Sequence, residues 1–129
     1  MHHQKAKNIF LGRDGEIRGN CAEAVLRAFK DTMGVEENLL ALAKGHGGGR
    51  APEGYCGAYY VAKLLIEKYC CLEKTQEFEQ YFKELASSLK CNEIRQARKL
   101  SCVGCVEKAA EFIATARTNK MRAQLPNLS

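Results

Sequence analysis

The sequence predicts an all-α fold: a single compact multi-helix domain in which a central buried helix, over about residues 52–69, is surrounded by other helices. Three observations predict it. Apolar residues recur at three- and four-residue spacing along most of the chain, and no run alternates as a half-buried strand does. Only two prolines interrupt 129 residues, 46% of which are hydrophobic. A chain of that length buries a core without covalent staples. Residues 1–129 therefore read as one cysteine-rich helical domain, with 1–3 and 119–129 frayed at its ends.

The elements follow in order. A short opening helix is predicted from Gln4 to Leu11, and Gly12 to Gly19 is turn-rich. Asn20-Cys-Ala-Glu23 reads as a helix start, with Asn20 as N-cap and Glu23 reaching back to the cap amide. Its apolar stripe is Val25, Ala28, Phe29, Thr32 and Met33, and Gly34 ends it. A second start at Glu36 is carried by Leu39, Leu40, Leu42 and Ala43 to Gly45. The glycine tract from Gly45 to Arg50 breaks the pattern. Pro52 suits a first helical turn, where its missing N–H would be unpaired anyway. The helix predicted from there through Tyr69 is apolar nearly all round, apart from a strip with Lys63 and Glu67, which makes it the central element. Leu72 to Leu89 is amphipathic, with Phe78, Tyr81, Phe82, Leu85 and Leu89 inward. A short helical turn follows Asn92, and Ser101 caps a last helix to about Thr118.

Several function classes lack support. The net charge of +5 is spread along the chain, apart from a small group near Lys120 and Arg122, and no basic stripe interleaves with aromatics; this predicts no nucleic-acid partner. No apolar run is long enough to span a bilayer, which predicts no membrane partner. The start MHHQKAKNIF lacks the apolar stretch of a signal peptide, so a cytoplasmic address is expected. No Ser/His/Asp grouping, paired-acid motif or HExxH is present to support a hydrolase. The glycine tract has neither the Lys-Ser/Thr nor the preceding strand of a phosphate loop. Its glycines suit a sharp turn or a close backbone approach. His46 within it is an exposed loop histidine or an extra ligand beside Cys56.

The seven cysteines carry the most information. In a reducing compartment such a set reads as metal ligands or redox groups, and an odd total leaves one out of any closed disulfide set. Cys21 follows the cap Asn20, Cys56 lies in the first turn after Pro52, Cys91 precedes Asn92, and Cys102 follows the cap Ser101. Unpaired N–H groups and the helix dipole there stabilise a thiolate, which is both the nucleophile and the metal-binding form, so such thiols titrate below the ~8.5 of a free cysteine. The competing reading is plain burial, since cysteine packs as a small hydrophobe. Cys105 shares a face with Ala109, Phe112 and Ala116, and Cys21 lines up with Val25 and Ala28.

Cys102-Val-Gly-Cys105 is a CxxC pair one helical turn apart and a candidate exchange pair. Val106 stands where a c-type haem motif needs histidine, and the βαβ context of thioredoxin is absent. Zinc or an iron–sulfur cluster needs more ligands. Cys21, Cys56, Cys91 and Cys102 supply them if the helix starts converge, with His46 as a further candidate. Cys70 and Cys71 read as two ordinary thiols at a helix end, because a bridge between neighbours is strained.

The segments Asn20-Cys-Ala-Glu-Ala-Val-Leu-Arg-Ala-Phe29, Glu53-Gly-Tyr-Cys-Gly-Ala58 after the glycine tract, Cys91-Asn-Glu-Ile94, and Cys102 ahead of Val106-Glu-Lys-Ala-Ala-Glu111 occur in that order. Together they resemble the C_GCAxxG_C_C family, small bacterial and archaeal proteins described as redox-active, from about Ile9 to Ile113. The resemblance implies an all-helical fold and a thiol- or metal-based redox role, with the family's cysteines at Cys21, Cys56, Cys91 and Cys102. Cys105, Cys70 and Cys71 are additions to that set. A similar module occurs in split-Soret cytochromes, whose extra haem-binding motifs are missing here. Where the family carries a small residue after Cys56, this chain has Tyr59, Tyr60 and Val61, which argues against close helix approach at that point. The expectation is a cytosolic redox protein, with Cys21, Cys56, Cys91 and Cys102 clustered, Cys105 auxiliary, and a redox partner protein. The alternatives are a zinc or iron–sulfur protein on the same cysteines and a non-catalytic helical interaction module.

Overall fold

A computed structural model of the chain describes residues 2–47, 49–70 and 72–124, with side chains to residue 119. Gly48, Cys71 and the tail from 125, on which parts of the sequence reading fall, lie outside the described residues. Seven α-helices are present among the described residues: α1 (His2–Leu11), α2 (Cys21–Met33), α3 (Glu37–Lys44), α4 (Gly57–Leu65), α5 (Thr75–Ala86), α6 (Cys91–Ala97) and α7 (Cys102–Gln124). There is no strand among them, only an isolated antiparallel bridge between Tyr55 and Lys90. Among the described residues no helix is long and apolar enough to cross a membrane.

Helices α2, α4 and α7 pack on one another, and α1 lies across α7 and α2. α1 begins two residues earlier than predicted. The His2 ring stacks on Phe29 with centroids 4.4 Å apart, and its Nε2 lies 2.9 Å from Thr32 Oγ1. α2 starts as the sequence predicts, with both arms of a capping box: Glu23 N donates to Asn20 Oδ1 at 2.8 Å, and Asn20 N donates to Glu23 Oε1 at 3.0 Å. It ends at Gly34 in the left-handed region, φ 64°. Its buried face also includes Ala22, Ala24 and Leu26, because α1, α4 and α7 flank it on several sides. Thr32, expected inward, is exposed and Met33 is half-buried.

The predicted continuous helix from Pro52 to Tyr69 is corrected. Pro52 does open a helical turn, but this is a 3-10 turn that closes at Gly54. Glu53 and Gly54 take φ values of 58° and 77°, and Tyr55 becomes extended to pair with Lys90. α4 then starts afresh with Cys56 as its N-cap residue, and its last turns, Ile66–Cys70, widen to a π-helix. Its expected centrality holds: Gly57, Ala58, Tyr59, Val61, Ala62 and Leu65 are all buried.

The helix predicted over Leu72–Leu89 is shorter at both ends. Leu72–Lys74 form a separate 3-10 turn, with Leu72 facing solvent, and α5 stops at Ser87 in the left-handed region. Phe78 and Phe82 point inward as expected and meet Tyr59, whose ring stacks on Phe78 at 5.6 Å. Tyr81, Leu85 and Leu89 are only half-buried. α6 begins at Cys91 itself with Lys90 as its N-cap, so Asn92 lies inside the helix and is not its cap. α7 begins as predicted, with Gly104 N donating to Ser101 Oγ at 3.1 Å, but it continues to Gln124 rather than ending near Thr118.

Candidate functional site

Two loops and two glycines converge four helix starts on one place. The Tyr55–Lys90 bridge and a hydrogen bond from Cys56 N to Leu89 O, 2.8 Å, set the start of α4 beside that of α6. The start of α6 is fixed in turn by Ser88, whose Oγ donates to Glu93 Oε1 at 2.6 Å and accepts from Lys90 N at 3.1 Å. Gly57 lets α4 close on α2: a Cβ there would lie 2.5 Å from His46 O and 2.8 Å from Cys21 Sγ. The close approach that the bulky Tyr59, Tyr60 and Val61 argued against therefore occurs at Gly57, while Tyr59 is absorbed into the core. Gly47 packs equally tightly on Asn20, whose Nδ2 also donates to Ala43 O and Lys44 O.

The result is a cavity of about 710 Å³ lined by Cys21, Cys56, Cys91, Cys102 and Cys105. Cys21, Cys91 and Cys102 are the first residues of α2, α6 and α7, and Cys56 caps α4. Phe10, Ile94 and Leu100 supply apolar wall, and Arg18, Arg95 and Arg98 supply positive charge. Cys70 is buried elsewhere, against Ala116, Met33 and Phe112. His46 is not among the lining residues; its ring meets Tyr60 edge-on at 5.3 Å, and its Nδ1 is buried without a hydrogen-bond partner among the described residues.

The thiols are not equivalent. Cys56, 6% exposed, and Cys105, 2% exposed, both line the cavity. Interaction with the Cys105 thiol lowers the Cys56 thiol below its ordinary value against the opposing effect of burial. No full cap bond reaches its sulfur, yet the N–H dipoles of Tyr59 and Ala58, and the charge of Arg95, act in the same direction. Cys105 moves the other way, pushed up first by its interaction with Cys56 and then by its own burial. Of the two thiols, Cys56 is therefore the one that gives up its proton first and Cys105 the one that keeps it.

The expectation that every helix-start thiol is acidic fails at Cys91. Burial pushes it up, and the nearby Arg95 offsets this only in part; α6 has seven residues and a correspondingly weak dipole. In the CxxC pair, Cys105 is buried and acts on Cys56, whereas Cys102 is exposed and acts on the Arg95 guanidinium, whose pKa it helps to raise. Among the described residues no three His, Cys, Asp or Glu side chains are grouped tightly enough to hold a metal ion.

The arginines were missed in the sequence because the basic residues looked dispersed. Helical spacing could have found one of them: Arg95 lies four positions after Cys91, on the same face of α6.

The fold and this cavity define a class: a small helical protein with thiols gathered at helix starts around one cavity. The particular family follows from comparison. Residues 19–116 match the family model described as "Putative redox-active protein (C_GCAxxG_C_C)", and the chain belongs to that family. No curated protein and no solved structure matches the chain.

Proposed function

We propose that the chain is a thiol–disulfide redox protein in which Cys56 and Cys105 form the exchanging pair. The single observation that carries this reading is that Cys56, at the N-cap of α4, and Cys105 are both recessed in the wall of one cavity, where each thiol shifts the other. Such an arrangement keeps a nucleophilic thiolate and its resolving thiol together. On oxidation the thiolate and thiol lose two electrons and one proton and become a disulfide. Cys102, exposed beside Arg95, stands where a redox partner protein reaches the site, and Cys21 and Cys91 complete its wall. A cytosolic address belongs to the same reading, because a dithiol resting state needs reducing surroundings.

The test is a titration of the anaerobically purified protein across a series of thiol–disulfide potentials, with each cysteine followed by differential alkylation and peptide mass spectrometry. A Cys56–Cys105 bridge forming first, in one two-electron step, is expected. Equal response of all thiols at every potential, or a first bridge elsewhere, refutes it. Stoichiometric zinc, or iron with acid-labile sulfide, bound through Cys21, Cys56, Cys91 and Cys102 in the same preparation would replace it with the metal reading.

A further inference from the structure

We propose that the cavity binds a small anionic disulfide, held by Arg18 and Arg98 with its sulfur–sulfur bond presented to Cys56. This rests on the Cys56–Cys105 exchange reading and names the substrate class for it.

Access sets the size. Both thiols of the pair are recessed, so a disulfide carried on a folded surface would have to enter the cavity with its own backbone around it. A molecule that fits inside about 710 Å³ meets no such barrier. Charge sets the sign. Arg95 is engaged with Cys102 and Cys91. Arg18 and Arg98 are exposed at the cavity, and the ion pairs among the described residues are all made by lysines. Glu23 is the carboxylate among the lining residues, and it is closed into the capping box of α2. Positive charge is thus left to face the ligand. Leu100 and Ile94 give its carbon chain an apolar wall.

The reaction balances without another reagent. The Cys56 thiolate attacks one sulfur of R–S–S–R and breaks that bond; the leaving thiolate takes the Cys105 proton and departs as RSH. Cys105, now ionised, attacks the Cys56 sulfur of the mixed disulfide. The Cys56–Cys105 bridge closes, and the second RS⁻ leaves and takes a proton from water. Two electrons pass from the protein dithiol to the small disulfide. Attack by a thiolate on a dianion is repulsive, and Arg18 and Arg98 offset that repulsion.

The test compares three disulfides of similar length with the reduced protein at low ionic strength: dithiodipropionate (anionic), bis(2-hydroxyethyl) disulfide (neutral) and cystamine (cationic). Each rate of Cys56–Cys105 bridge formation is divided by that disulfide's rate with N-acetylcysteine. The anionic reagent should lead the neutral one by about fivefold, the size of two exposed charge pairs, with the cationic reagent slowest. Added salt should shrink that lead. In Arg18→Gln/Arg98→Gln the anionic-to-neutral ratio should fall towards one; a ratio taken within one variant cancels changes in thiol reactivity. Bridge formation without charge preference, or a preference that survives in the variant, overturns the substrate class and leaves the exchange reading standing. Failure of all three reagents to form the bridge overturns both.

Discussion

Replacing Gly57 by alanine tests the geometry that gathers the site. Gly57 opens α4 without a positive φ. With open space beside it, alanine there would stabilise the helix by up to about 1 kcal/mol. Here the added Cβ would lie 2.5 Å from His46 O, 2.8 Å from Cys21 Sγ and 3.3 Å from Ala22 Cβ. The first of these is backbone and the second is the end of a short side chain, so neither can swing clear and α2 and α4 must part. Overpacking of this kind costs about 1–3 kcal/mol. A net loss of about 2 kcal/mol is therefore expected, and at roughly 4 °C per kcal/mol for a domain of this size the melting temperature should drop by about 8 °C. Urea unfolding and thermal melts of Gly57→Ala and Gly34→Ala measure it. Gly34 has φ +64° but nothing within 4 Å of a new Cβ, so its change costs about 1 kcal/mol of backbone strain alone. Alkylation of Cys21 should also speed up in Gly57→Ala, as its sulfur is pushed out of the contact. A Gly57→Ala protein as stable as the parent, or a more damaging Gly34→Ala, would refute the packing argument.

Other changes have equally definite outcomes. As pH falls through the ordinary thiol range near ~8.5, alkylation of Cys56 should persist after that of Cys91 is lost, while Cys105 stays protonated and unreactive; peptide mass spectrometry reads the order, and Cys91 outlasting Cys56 contradicts it. The depressed Cys56 value contributes stability that is present above the unfolded value and lost as pH falls through the folded one, whereas the contribution from the raised Cys105 value is lost as pH rises. Urea midpoints should therefore decline on both sides of that range. Asn20→Ala removes the cap bond from Glu23 N and both bonds to the end of α3, a loss of about 1–2 kcal/mol; Asn20→Asp keeps the cap but not the amide donors, so a urea midpoint between the two is expected. Tyr59→Phe deletes the 2.9 Å bond donated to Glu79 and keeps the ring stack, so it should lose about 1 kcal/mol or less, and a larger loss would show that the hydroxyl does more than this bond.

Much of the fold was legible because its signals are local. The Asn20–Glu23 box, the stop at Gly34 and the Ser101 cap are each written within four residues, and each forms as written. The break inside the predicted central helix was not legible, because its cause is distant: Tyr55 leaves the helix to pair with Lys90, and Cys56 N is taken by Leu89 O. The site divides in the same way. Periodicity places Cys21, Cys56, Cys91 and Cys102 at or beside helix starts, but nothing in a linear pattern says that Cys105 meets Cys56 rather than Cys102. That choice depends on how α7 crosses α4, and on Gly57 allowing α2 close enough to complete the wall.

The meeting of Cys56 and Cys105 has a mechanical consequence. A bond between them would close a covalent ring of about 50 residues around α4, α5 and α6, and the loss of disorder in the unfolded chain would raise stability by about 4 kcal/mol. By linkage the fold favours the bond as much as the bond favours the fold. Heat resistance and oxidation state of this protein should thus rise and fall together, and a simple melting curve becomes a gauge of how oxidised the chain is.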